Sequence, residues 1–189
     1  MQVGEINNMK NVAVRRQGGF SLIELLIAVA ILGILMAVSL PSFTNSLERM
    51  NSNSQIKQFL STLNFTRSEA VKRGRNVVIC ASNDGLDCDA NDWSQGWLVF
   101  EDNNADANGA TGSVDAGDTV LRVFDLLASN SEISFSAALF EYTSLGFSAT
   151  EEIETFLVCP QSQNSDNARS IEISLSGRGR RIEDGLVCP

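Results

Sequence analysis

Three textures of apolar and polar positions follow one another along the chain. A polar leader ends at Gly19, and an apolar run of 21 residues follows from Phe20 to Leu40, with Glu24 its only charge. As a helix rising about 1.5 Å per residue this run spans roughly 31 Å, enough to cross a hydrocarbon core. Beyond Pro41 the apolar positions thin out: Phe43, Leu47, Met50, Ile56, Leu60, Leu63 and Ala70 recur at near-helical spacing among Ser, Asn, Gln and charged residues. That rhythm predicts a helix continuing to about Arg73 with one stripe packed on a globular domain. Gly74, after the bases Lys72 and Arg73, suits its C-terminal cap. From Asn76 short apolar runs alternate with turn residues. Residues 76–81, 97–101, 119–124, 132–136, 155–159 and 170–176 read as strands, the last alternating with Ile171, Ile173 and Leu175 on one face. A long helix followed by a strand-rich domain is an α+β arrangement.

Composition narrows the chemistry. The 189 residues allow one domain with a real core plus an appendage. No histidine is present, which removes His-dependent triads, most zinc sites and the commonest general base. No nucleophile-elbow, P-loop or zinc-protease pattern occurs, so no enzyme and no cofactor is expected. The net charge of −9 argues against nucleic acid as a general partner. The charge is uneven, however. Between Asn76 and Ala168 Arg122 is the only base, against sixteen acids, while Arg67, Lys72, Arg73 and Arg75 precede this region and Arg169, Arg178, Arg180 and Arg181 follow it. The first group suits a helix C-terminus, which explains it structurally.

In the leader Lys10, Arg15 and Arg16 outweigh Glu5, which predicts a cytoplasmic N-terminus and an exported C-terminal domain. A secretory signal peptide places its apolar region before the cleavage site. Here the polar leader ends in Gly18-Gly19 and the apolar run follows. Gly19-Phe20-Ser21-Leu22-Ile23-Glu24 and its run closely resemble the class III signal of type IV pilins and type II secretion pseudopilins. The resemblance implies that a prepilin peptidase removes residues 1–19, cutting between Gly19 and Phe20, and that the new Phe20 amine is methylated. It implies a type IV pilin-like fold: residues 20–41 form the transmembrane, assembly half of the helix, residues 42–75 its amphipathic half, and residues 76–189 a periplasmic domain. Gly33 and Pro41 stand where such helices are weakened, and Pro41 also removes a helical hydrogen bond, so a kink or melted stretch is expected there. An amine at Phe20, with an ordinary pKa of about 8, is largely protonated at neutral pH. Set against the Glu24 carboxylate of a neighbouring subunit in low dielectric, it fixes axial register, because leaving either charge unpaired is costly.

Four cysteines in an exported domain suggest two disulfides with three possible pairings. Cys80–Cys88, closing the turn between them, and Cys159–Cys188, tying a strand to the chain end, are favoured over a metal site. The acidic segment 101–113 carries Asp102, Asn104 and Asp106 at the alternation of a calcium loop, but its glycine is displaced to Gly109 and Ser113 stands where a closing Glu belongs. It reads as a solvated turn.

Beyond the signal, residues 66–74, Val77 to Cys80, Trp93, Gly96 to Asp102 and Ser174 to Arg180 resemble the GspH/FimT family of minor pilins and pseudopilins. The resemblance implies a subunit near the tip of a pilus or pseudopilus. Its partners would be other pilin or pseudopilin subunits, the prepilin peptidase, the inner membrane and the assembly platform in it. FimT-like members that bind DNA carry a C-terminal GRxR motif, and Gly177-Arg178-Gly179-Arg180 fits it, with Arg181 adjacent. In extended backbone Arg178 and Arg180 point to one side, the solvent face if the register of Ile171, Ile173 and Leu175 continues. Because that register would also expose Ile182, the glycines are expected to break it with a turn or bulge. The alternative is a GspH-like secretion pseudopilin with no DNA role.

Overall fold

The apolar run forms helix because little in it opposes one: Leu, Ala and Ile dominate, and no two β-branched residues are adjacent. In the computed structural model, which describes residues 19–88, 92–103, 113–125, 131–136 and 138–189, α1 is Leu22–Arg73. Ser21 starts it. The Ser21 carbonyl accepts the Leu25 N–H and its hydroxyl accepts the Glu24 N–H, each at 3.2 Å. Gly74 ends it as expected, at φ 66°, with its N–H on the Ala70 carbonyl at 2.9 Å. The backbone is helical through both Gly33 and Pro41, so the melted stretch expected at Pro41 is not a break in α1. One missing N–H forfeits a single hydrogen bond there. The chain divides into two units immediately after Pro41, Met1–Pro41 and Ser42–Pro189.

In the first unit every side chain described from Phe20 to Ala37 is exposed. α1 is long enough, and apolar enough near the N-terminus, to cross a membrane.

In the second unit α1 buries one stripe, Ser52, Gln55, Ile56, Phe59, Thr62, Leu63, Thr66 and Ala70. The spacing of three and four is that of a helix face. Phe43, Leu47 and Met50, expected on this stripe, are exposed, because burial of α1 begins only at Ser52. Phe59, which the sequence reading passed over, stacks flat on Phe156 with ring centroids 3.5 Å apart, and Trp93 and Trp97 meet its edges. Both threonines of the stripe are satisfied on the helix itself, Thr66 by donating to the Thr62 carbonyl at 2.8 Å. The Thr62 hydroxyl donates to the Gln58 carbonyl at 3.0 Å and accepts the Trp97 indole N–H at 3.3 Å.

The strands are β1 (Asn76–Ala81), β2 (Trp97–Asp102), β3 (Thr119–Phe124), β4 (Glu132–Phe135), β5 (Leu139–Tyr142), β6 (Glu154–Cys159), β7 (Arg169–Ile173) and β8 (Gly179–Ile182). They form two antiparallel sheets in the orders β3-β2-β1-β5 and β4-β6-β7-β8. Their apolar faces close with the α1 stripe over one core that includes Val77, Ile79, Trp97, Phe140, Phe156 and Ile171. A smaller cluster, Val78, Cys80, Leu98 and Phe100, lies apart from it and packs against Cys88 and Val114. Alternation along β1 and β2 therefore fills both faces, which is why both strands read as unbroken apolar runs. The disulfides are Cys80–Cys88 and Cys159–Cys188, the favoured pairing of the three. Two strands differ from expectation. β5 was not anticipated, and residues 170–176 do not form one strand: β7 stops at Ile173 and the chain turns back as β8.

Candidate functional site

Two regions carry the residues singled out by sequence. The first is the start of α1. Gly19, Phe20 and Glu24 are all exposed, and a side chain at Gly19 or Gly33 would meet open space. Ser21 and Glu24 occupy the first and last positions of an S-x-x-E capping pattern, and the Glu24 N–H on the Ser21 hydroxyl is its first half. An acid in the first turn also suits the helix dipole. Glu24 therefore has a local role that the sequence reading missed, though helix capping alone does not call for an acid inside an apolar run.

The second region is the hairpin of β7 and β8. Gly177 sits at φ 74°, its N–H on the Ser174 carbonyl at 2.8 Å, while the Ser174 N–H reaches the Arg178 carbonyl at 3.0 Å. This is the three-residue hairpin loop closed by a left-handed glycine. It realises the turn expected of the glycines. A Cβ at Gly177 would lie 2.6 Å from the Tyr142 ring and 2.7 Å from the Gly146 carbonyl; one at Gly179 would lie 2.9 Å from Leu60. Gly177 is thus required by the fold, whereas a side chain at Gly179 would have to displace the end of the Leu60 side chain. The buried Tyr142 hydroxyl donates to the Gly177 carbonyl at 2.8 Å and pins the loop. Burial, slightly opposed by Arg67, pushes that phenol well above the ordinary tyrosine range, so it stays a donor.

The four C-terminal arginines divide into two pairs. Arg169 is buried; its Nε donates to Asn53 Oδ1 and its Nη1 to the Asp166 carbonyl, each at 3.1 Å. Arg181 turns to the same Asn53 oxygen and pairs with Glu183 at 3.0 Å. Arg178 and Arg180 are exposed. Arg180 stands opposite Glu172 in the strand register and pairs with it at 3.2 Å, while the Arg178 guanidinium has no ion-pair partner among the described residues. Arg178, Arg180 and Arg181, with Glu172, Ser174 and Gly179, line one depression of about 500 Å³. The motif's arginines are therefore brought together, but Arg181 is held partly by structure.

In the earlier basic group Lys72, Arg73 and Arg75 are ion-paired within the fold. Arg73 bonds Glu69 and Glu101 at 2.7 Å each, Arg75 lies 3.4 Å from Glu101, and Lys72 lies 3.5 Å from Glu69. Hydrogen bonding from Arg73 is the main reason the Glu69 carboxyl falls below its usual range. Glu101 is thereby occupied by arginines; Asn104 and Asp106 lie outside the described residues.

The family model described as Type II transport protein GspH matches residues 55–177, and that of the prokaryotic N-terminal methylation motif matches residues 14–40. The chain belongs to the GspH family. Within this GspH-family chain Gly19, Phe20 and Glu24 fall inside the methylation motif, whereas Arg178 and Arg180 lie just past the end of the family match. Two fimbrial proteins of Pseudomonas aeruginosa are each 34% identical over 68 residues, which is 36% of this chain and 44% of theirs. The match thus spans less than half the length of these relatives. The type IV minor pilin FimU of Pseudomonas aeruginosa is similar in structure at TM-score 0.55 and 23% identity, over 74% of this chain and 94% of that one. The minor pseudopilin EpsH of Vibrio cholerae aligns over 72% and 99% of the two chains at 14% identity and TM-score 0.47. The fold is type IV pilin-like: a long N-terminal helix packed on antiparallel sheets.

Proposed function

We propose that this chain is a minor pilin or pseudopilin, cleaved between Gly19 and Phe20, methylated at Phe20 and held in the inner membrane through residues 20–41 before joining a filament. The observation that carries it is Glu24, an exposed carboxylate in the first turn of α1 and the only charge in the apolar run from Phe20 to Leu40, inside a methylation motif and followed by a GspH domain. An unpaired acid at that depth is costly, and a neighbouring subunit's Phe20 amine would relieve the cost. In cells lacking the chromosomal copy, Glu24→Ala should reduce piliation or secretion, and Gly19→Val should leave the leader attached. Normal assembly by Glu24→Ala would remove the register role.

A second reading rests on the hairpin. Arg178 and Arg180 stand exposed on one depression, Arg178 without an ion-pair partner among the described residues, and guanidinium groups suit phosphate oxygens through paired hydrogen bonds. We infer a DNA contact there, serving uptake in natural transformation. Arg178→Gln with Arg180→Gln should weaken DNA binding and transformation while leaving piliation and secretion intact. Equal DNA binding by parent and double variant would leave the export-only pseudopilin as the better account.

A further inference from the structure

The cross-strand pair of Glu172 and Arg180 has a consequence for that contact. The two face each other in the β7–β8 register, their side chains meet at 3.2 Å, and both line the depression that holds Arg178. Glu172 is the only acid in that lining among the described residues. Its carboxylate Oε1 accepts the Arg180 Nη2–H, the place a phosphate oxygen would take.

We propose that Glu172 is an internal phosphate mimic that competes with a nucleic-acid backbone for Arg180 and holds the affinity of this hairpin down. The proposal rests on the DNA reading of Arg178 and Arg180. Two effects act together. Binding must first release Arg180 from Glu172, and the released carboxylate then remains beside the incoming phosphates as a like charge. The pair is open enough to exchange, since the Arg180 side chain is 71% exposed and that of Glu172 37%. Arg178 has no such competitor among the described residues, so it makes first contact and Arg180 joins by exchange. The neighbouring Arg181 differs, since it bonds Asn53 as well as Glu183. Weak single sites of this kind suit a filament that gathers several along one strand, because each can release its segment as the filament moves.

The test is fluorescence anisotropy of a labelled 30-base-pair duplex against the full chain in nonionic detergent. Glu172→Gln keeps the shape of the strand, and Glu172→Thr removes the group by shortening it; melting curves confirm that each is folded. Both should tighten binding about two- to fivefold, the strength of an exposed ion pair. The gain should vanish in an Arg180→Gln background. Glu151→Gln, which removes one exposed negative charge elsewhere, should change little. A gain that persists without Arg180, or is matched by Glu151→Gln, would show bulk charge and overturn the mimic. So would unchanged binding in both Glu172 variants while Arg178→Gln with Arg180→Gln still abolishes it. If that double arginine variant binds as the parent does, the DNA reading fails first and the mimic falls with it.

Discussion

At the scale of the residue, Gly177 and Glu141 show two ways in which one side chain sets stability. Gly177 combines a left-handed backbone with two contacts that leave no room for a Cβ. Gly177→Ala should cost at least about 1–3 kcal/mol, the usual penalty for a non-glycine residue held in such a conformation. Urea unfolding of parent and variant measures it, and the loss should exceed that from Gly185→Ala, where a Cβ meets open space at similar φ. Glu141 lies half-buried beside Asn76 and Asp102. Burial first, and then the Asp102 charge, push its carboxyl above the ordinary 4.5, partly opposed by the Asn76 hydrogen bond. A carboxyl raised in the folded state binds its proton more tightly there, so ionisation costs stability. That cost is absent below the ordinary value, grows as pH rises through the raised value and is complete at neutral pH. Glu141→Gln keeps the Asn76 bond and should therefore raise the melting temperature at pH 7, with the advantage fading as pH falls toward 4. An advantage independent of pH would assign the effect to packing.

At the scale of the element, the disulfides close loops of different length, 8 and 29 residues. The chain-entropy account gives roughly 2.5 kcal/mol for the shorter and roughly 3.6 kcal/mol for the longer. Replacing Cys159 and Cys188 by Ser should thus lower the urea midpoint more than replacing Cys80 and Cys88. Equal losses would point to packing of Cys80 and Cys88 against the outer apolar cluster. How far these elements were legible in sequence depended on where their signal lay. The end of α1 was readable because Lys72, Arg73 and Gly74 form a local cap. β1, β2, β3 and β6 were readable because each is a compact apolar or β-branched run. β5 was not, because Glu141 interrupts its pattern and the strand is only four residues long. β8 was hidden because half of it is arginine, and its place is set by long-range pairing with β7. The same cause hid Glu172: it looked like an ordinary outward residue until cross-strand register placed Arg180 opposite it. The exposure of Phe43, Leu47 and Met50 was likewise unreadable, since periodicity marks a face but not how far along the helix the sheets reach.

At the scale of the whole molecule, charge decides what kind of DNA contact the chain can make. The acidic stretch from Asn76 to Ala168 repels phosphate over most of the domain, and Glu69 and Glu101 occupy most of the basic group before it. Arg169 is buried and Arg181 is tied to Asn53, which leaves Arg178 and Arg180 as the two arginines of the hairpin available to the backbone. The sequence offers three adjacent candidates, Arg178, Arg180 and Arg181, and the geometry reduces these to two. Counterion release then gives a log–log salt slope of about −1.8 on duplex DNA. Binding should weaken only about twelvefold between 50 and 200 mM salt. Anisotropy across that range measures the slope directly. Arg178→Gln alone should bring it to about −0.9, with one phosphate contact left. A parent slope steeper than about −4 would bring in bases beyond the hairpin, with Arg49 and Arg67 the first to replace, and would place the DNA path across α1 rather than on the β7–β8 turn.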